Sequence, residues 1–592
     1  LEFRRVLFRS GSTDGNLDGQ IKSGTSDTFL TRYDPSGTRK YTRLIGVTGQ
    51  PAAALACGGD TAGNISVAGF TRGNLDGQLL TGTEDVFITN KLMDTSSLEV
   101  YSVTYNGNGN TIGTVPVDTN SYQHGSPVTV KANINNLLRT NFMYTEWNAQ
   151  SDGSGNVRTA GSNFSIGPAN ETIYAQWQQK WTRLTGATNV TTFFADITAD
   201  SADNLVATGA TTGNLDGLTV KGYADTYITK YDKNGNKLWS KLYGEVGAGT
   251  YSTGVTTSSY SGRIVLSGYT TGNLNGQIVN GTFDTYIMSL YADGSHHWTR
   301  LLGASGNYTY STAIATDNQG NIFASGYTRS NLDNQTINGS IDGFITMYTW
   351  DGIKQWTRLI GVSGAYTTTS SITTDGTAIY VVGSTNGNLH GQTNNGLYSA
   401  FVSKFDSAGN RLWTKLIGGT MTTGQKANTF GYGISFKNCS SLLITGSTTG
   451  NLGYSRVINY GGQIGYIYPI NTSTGQNTYS SLPGAYIIAT TSRSASGKKI
   501  ACSTRSGITV LADFTGGGYG VAPIGSTDAY VYRAGQSPRL VNLGIAGAAT
   551  YGNSMAMDSR GIVHVAGNTG GNLDGQSLTG SSDAFLSNRL NP

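Results

Sequence analysis

The chain has 592 residues, 83 of them glycine, with 37% apolar and 12% charged residues and a formal charge of +4. So balanced a charge, with no dense Lys/Arg run, argues against a nucleic-acid partner, and no run of eighteen apolar residues offers a membrane span. The length exceeds one ordinary core, and an excess of Gly, Thr, Ser, Asn and Tyr over Glu, Lys and Ala points to all-β structure with many tight turns.

Residues 1–10, LEFRRVLFRS, differ in style from all that follows. They lack the long apolar stretch and small-residue cleavage site of a signal peptide, read as a non-native-looking leader, and are set apart from the fold. No signal or anchor sequence is recognisable in this chain.

From residue 11 a short phrase recurs. GNLDG stands at 15–19, 73–77, 213–217 and 571–575, with the variants GNLNG (272–276), SNLDN (330–334), GNLHG (387–391) and GNLGY (450–454). The motif asparagines are separated by 58, 140, 59, 58, 57, 63 and 121 residues. The period is thus near 58, with one motif decayed near 502–507 and an insertion between 74 and 214. Within a period, 308–363 reads as four short strands: YTYSTAIATD, NIFASGYT, GFITMYT and IKQWTRLIGV. Each is rich in β-branched and aromatic residues and bounded by Gly, Asn or Asp. Turns such as DKNGN (232–236) and DSAGN (406–410) carry hairpin chemistry.

Four antiparallel strands per repeat predict a β-propeller of four-stranded blades. Blade counting favours eight, with seven as the alternative, closed by pairing the two ends of the chain so that no sheet edge is left open. The propeller is expected to occupy 11–98 and 179–592. GNIFASGYT, GNLDGQ, DTYITKYD (225–232) and WTRLIG (356–361) resemble the bacterial β-propeller repeats called SBBP repeats over most of both segments.

Residues 99–178 break the pattern. Tyr105–Gly109, Val115, Pro116, Trp147, Asn148, Asp152–Gly155 and Tyr174–Trp177 closely resemble the Listeria–Bacteroides repeat, also called the internalin B-repeat; Glu146 stands where a Gly commonly precedes the Trp. The resemblance implies a small β-grasp-like module of bacterial surface proteins. Trp147 and Trp177 are expected to pack its core. The module is expected to lie between the third strand (86–91) and fourth strand (181–186) of one blade.

The repeated phrase has two readings. As architecture, its glycines supply positive φ, its Leu plugs the blade and its Asn and Asp cap backbone. As a site, Asn16, Asp18, Asn74, Asp76, Asn214, Asp216, Asn273, Asn331, Asp333, Asn572 and Asp574 are ligand-facing loop positions for a glycan. Calcium is disfavoured, because the Asp position also holds Asn275, His390 and Gly453. Five histidines lack metal spacing, and His296–His297 reads as a surface pair. Cys57, Cys439 and Cys502 read as small buried residues and not as a disulfide framework. Trp181, Trp239, Trp298, Trp356 and Trp413 read as packing between blades, with the basic residue of WTRL lying over the Trp. No nucleophile elbow or phosphate loop is found. The expectation is a secreted or cell-surface bacterial binding or adhesion protein, monomeric and non-catalytic, without cofactor or metal. Its partner would be a surface protein or glycan of a host or neighbouring cell. The alternatives are a carbohydrate-active lyase or hydrolase and a structural surface-layer element.

Overall fold

The computed structural model describes residues 7–34, 36–59, 65–90, 100–134, 137–421, 423–435, 441–452, 463–476, 495–503, 507–515, 524–534 and 540–590. Among these the chain is all-β, with no helix. It divides into two compact units, 1–138 with 146–176, and 139–145 with 177–592.

The larger unit is a closed ring of antiparallel sheets, seven among the described residues. Blade one comprises Thr192–Ala199, Leu205–Thr211, Asp225–Tyr231 and Lys237–Tyr243, hydrogen-bonded in that order. Blades two to six occupy 250–302, 309–360, 367–417, 429–470 and 495–542. Each first strand packs beside the first strand of the next blade, and that of blade seven returns to blade one.

Blade seven decides the closure. It joins Thr550–Met557, Val563–Thr569 and Asp583–Leu590 to Thr182–Thr185, with Thr182 opposite Ser587 and Thr185 opposite Ala584. The fourth strand of the last blade is therefore WTRLTG, just after the 99–178 segment. This corrects two expectations. The ring is not closed by the extreme N-terminus, and 181–186 does not complete the blade that contains 85–89. Its WTRL pattern fits any third strand of the DAFL type, so local sequence cannot choose between them.

The smaller unit holds two further blade-like sheets. Leu7–Thr13, Asp27–Tyr33 and Arg39–Ile45 form one; Ala52–Gly59, Ile65–Thr71 and Asp85–Thr89 form the other. Residues 7–10, set apart on sequence, lie in register with Leu30–Tyr33 in the place of a second strand. Residues 100–179 add short strands, in which Val103–Asn106 runs parallel to the start of Glu171–Gln179. Trp147 is fully buried, meets Tyr105 edge-on at 4.9 Å and donates from Nε1 to the Lys131 carbonyl at 3.0 Å. Trp177 is half-buried and meets Tyr144 instead.

The repeated residues explain the repeated fold. In five of the seven sheets of the ring the third strand opens on a buried aspartate such as Asp225, whose carboxylate accepts the amides of Lys221 and Gly222 at 2.8 and 3.1 Å; Ser399 and Ile464 stand there in the other two. Gly244 approaches so closely that a Cβ would stand 1.9 Å from Asp225 Oδ1, which fixes glycine in the LIG phrase. Between blades, Trp298 Nε1 donates to the Trp350 carbonyl at 3.3 Å and Arg300 Nε to the Gly352 carbonyl at 2.9 Å, with the guanidinium 5.5 Å from the Trp298 ring centre. Arg183 and Arg358 repeat this staple onto Gly235 and Gly409. The expected packing of Trp between blades and of Arg over Trp is what the ring contains.

Candidate functional site

The GNLDG phrase is a two-residue hairpin. Leu215 and Leu218 exchange backbone hydrogen bonds of 3.0 and 2.9 Å across Asp216 (φ 53°) and Gly217 (φ 73°). Two consecutive positive φ values are the type I′ pattern, which Asp, Asn and Gly accept most readily. Asn275, Asp333, His390 and Asp574 repeat it at φ 48–52°. Leu215, Leu274, Leu332, Leu389 and Leu573 are buried, as a plug requires.

The candidate residues do not converge; each bonds within its own repeat. Oδ1 of Asn16, Asn74, Asn214, Asn273, Asn331 and Asn572 accepts the amide six residues on, at 2.8–3.1 Å. The next polar residue ties the hairpin to the fourth strand. Asp216 accepts from Ser240 and Tyr227 at 2.6 Å and from Lys237 at 2.7 Å. Asp18 meets Thr42 and Arg39, Asp574 meets Thr182, Asp333 meets Lys354, Asn275 donates to Thr299, and His390 meets Thr414. Asp76 belongs to a sheet that has three strands among the described residues. The interchange of Asp, Asn and His now has a reason: all three accept positive φ and reach a strand-four hydroxyl.

The central channel is where the blades differ. Every first strand of the ring carries a β-bulge at one place, at Ala195, Thr253, Thr312, Ser370, Tyr432, Lys498 and Asn553. A bulge re-aims a side chain out of the ladder. Four of these residues, with Phe193, Tyr251, Ser252, Tyr269 and Tyr310, line a cavity of about 390 Å³ at one mouth. Lys498 pairs with Asp513 within blade six at 3.0 Å, and Lys499 of that blade reaches Asp196 of blade one at 3.2 Å. Burial raises the Asp513 carboxyl above its usual range, against the pull of Lys498. Asp196 also accepts the Val255 amide and the Ser554 hydroxyl, and so joins blades seven, one and two. Sequence reasoning missed this cluster. Its signal was ASGKKIACS (495–503), whose two lysines replace the uncharged centre of TYSTAIAT.

The other mouth holds about 870 Å³ lined by Asp200, Asp203, Lys230, Asp317 and Asp558 among others. These carboxylates cap first-to-second-strand turns. Asp200 accepts the Ala202 and Asn204 amides at 2.9 Å and Lys230 Nζ at 2.8 Å; Asp317 accepts the Gln319 and Asn321 amides at 2.9 and 2.8 Å. Burial alone would raise Asp200, but these bonds hold it below the usual range. Asp558 takes the Ile562 amide and the Arg560 guanidinium, and His564 Nε2 lies 3.3 Å from it. His296 and His297 meet Thr299 and Ser289. Cys57 is free, whereas Cys502 is disulfide-bonded, which corrects the expectation of small buried thiols; Cys439 lies outside the described residues.

A family model described as a β-propeller repeat, SBBP, matches residues 297–333 and 355–390. Those two stretches match the SBBP β-propeller repeat. The chain is 34% identical over 88 residues to a putative membrane protein of Evansella cellulosilytica, a match spanning 15% of this chain and 13% of that protein. Among solved structures, a streptogramin B lyase is matched at TM-score 0.38 and 13% identity over 69% of this chain and 98% of that one. Virginiamycin B lyase from Staphylococcus aureus is matched at 0.37 and 14%, over 69% and 99%. The propeller domain of the Trilobed protease from Pyrococcus furiosus is matched at 0.37 and 8%, over 69% and 94%. These likenesses carry no activity over to this chain. No described helix is long and apolar enough to cross a membrane.

Proposed function

We propose that this is an extracytoplasmic binding protein of a bacterial surface, non-catalytic, with the ring as a rigid platform for a protein or glycan partner. The observation that carries the reading is the division of labour in each blade. The carboxylates of the repeat are spent on amides, strand-four hydroxyls and ion pairs, while the channel-level bulges change identity from blade to blade. A repeated frame with one variable position per blade suits recognition better than a single chemistry. The disulfide at Cys502 belongs to an oxidising compartment and supports an extracytoplasmic location. The partial match to a putative membrane protein agrees with an envelope association. The resemblance of 99–178 to internalin B-repeats supports a second interaction module in the same chain.

An array of glycans and extracellular-matrix proteins probed with the whole chain tests this. Saturable binding to one class is expected. No binding, together with turnover of a polysaccharide, would replace the reading with a lyase or hydrolase. The cluster of Lys498, Lys499, Asp196 and Asp513 is the one observation favouring that second reading, and Lys498→Ala would be the variant to assay first.

A further inference from the structure

We infer that the channel mouth shared by blades one, two, three and seven binds a neutral saccharide, an assignment that rests on the binding role proposed above. The aromatic wall is the first observation. Tyr251 stacks on Tyr269 at 5.0 Å, Tyr269 approaches Tyr310 at 4.5 Å, and Tyr310 stacks on Tyr327 at 5.2 Å. The four rings form a continuous row across two blades, and all remain half-buried at the surface. The second-strand tyrosines are particular to these two blades: the equivalents of Tyr269 and Tyr327 elsewhere in the ring are Ala210, Ser384, Ser447, Asp513 and Asn568, whereas those of Tyr251 and Tyr310 are Phe193, Thr368, Phe430, Ser496 and Tyr551.

The polar wall is the second observation. The Thr253 and Thr312 hydroxyls donate to the Ser267 and Ser325 carbonyls at 3.3 and 3.2 Å. Asn553 spends its amide hydrogens on the Phe194 carbonyl at 2.7 Å and on Asn568 Oδ1 at 3.1 Å. All three thereby present oxygen acceptors at the cavity they line. A ligand that fits must bring several O–H donors and an apolar face for the tyrosine edges, which is the chemistry of a pyranose. An apolar side chain would leave the acceptors unpaired. Among the described residues lining the cavity none is charged, so neither an anion nor a cation is selected. The nearby Lys498 and Lys499 are already paired. A volume of about 390 Å³ lies within the range of small-ligand sites and suits one or two sugar rings at the end of a chain.

The test is calorimetric titration of the whole protein with a panel of neutral disaccharides: cellobiose, maltose, lactose, chitobiose and mannobiose. Tyr251→Ala, Thr312→Val and, as a control in blade four outside the cavity lining, Thr368→Ala are titrated in parallel. At least one sugar is expected to bind, with affinity reduced tenfold or more in Tyr251→Ala and Thr312→Val and unchanged in Thr368→Ala. If Tyr251→Ala lowers the melting temperature, Thr312→Val decides, because the same bulge holds Ala195 and Ser370 in other blades. Sugar binding unchanged in Thr312→Val would overturn the assignment. So would the absence of binding by every panel member up to about 10 mM. If a matrix protein still binds in that last case, the general binding role stands and only the saccharide site falls.

Discussion

Asp216 separates the two readings of the GNLDG phrase. If the residue is a clamp, Asp216→Ala loses three things. Alanine at φ 53° costs about 1–2 kcal/mol more than a residue that tolerates the left-handed region. The charged acceptor of Tyr227 and Ser240, each at 2.6 Å, disappears, and hydrogen bonds to charged groups are worth about 1.5–3 kcal/mol. Tyr227 and Ser240 can still bond each other at 3.1 Å, which returns part of that loss. The Lys237 pair is partly exposed and adds about 0–1 kcal/mol. The expected total is about 2–4 kcal/mol. Asp216→Asn should cost less than about 1 kcal/mol, because blade two already uses Asn275 at φ 48° with a 2.9 Å bond to Thr299.

Urea midpoints followed by tryptophan fluorescence, with amide exchange over 214–231, would measure both variants. Equal stability of the Ala and Asn variants would refute the clamp. Loss of ligand binding in Asp216→Asn at unchanged stability would instead favour the ligand-facing reading. The pH dependence gives a second check. Burial raises the Asp216 carboxyl, but Lys237, Ser240 and Tyr227 outweigh it and hold the group below its usual range. Its contribution is therefore present above the unfolded value near 4 and is lost as pH falls through the lower folded value.

Three further outcomes are expected. Gly352→Ala, at φ 84° with its Cβ 2.8 Å from Trp298, should lower the urea midpoint at least twice as much as Gly364→Ala, at φ 73° with nothing within 4 Å. Thr182→Val removes the hydroxyl bonded to Asp574 and Ser587, and should speed amide exchange at 584–588 while leaving blades two to four protected. Burial, with Arg411 nearby, pushes His390 down to about 4. The unfolded imidazole takes its proton near 6.5, so stability should fall between pH 6.5 and 4, and His390→Asn should flatten that fall in midpoints measured at several pH values.

Much of the frame was legible because it is written once per blade. The Leu plug, the Trp–Arg staple and the hairpin glycines each follow from local chemistry at a fixed offset, so 58-residue periodicity locates them. Ring closure was not legible for the same reason. The sequence 181–186 carries the staple residues of any fourth strand, and its choice of Asp583–Leu590 over Asp85–Thr89 is a tertiary outcome. The lysine cluster escapes the periodicity because 495–503 departs from the repeated first-strand phrase. A comparison of first strands position by position would have found Lys498 and Lys499 where every other inner strand of the ring except Asp196 is uncharged.

That contrast says where recognition can evolve on this fold. A residue in the hairpin, the staple or the third-strand cap serves a blade contact, and changing it costs stability in that blade and its neighbour. The bulge residue is outside the ladder and is half-buried in all seven blades of the ring. Its side chain is the one the frame leaves open, which is why alanine, threonine, serine, tyrosine, lysine and asparagine all occur there. Seven such positions around one channel hold Thr253, Thr312 and Asn553 at one cavity and an ion-paired Lys498 in another blade without altering the strands that carry them. Exchange of bulge residues between blades should therefore shift ligand preference with little change in urea midpoint. Exchange of strand-four tryptophans for alanine should do the reverse.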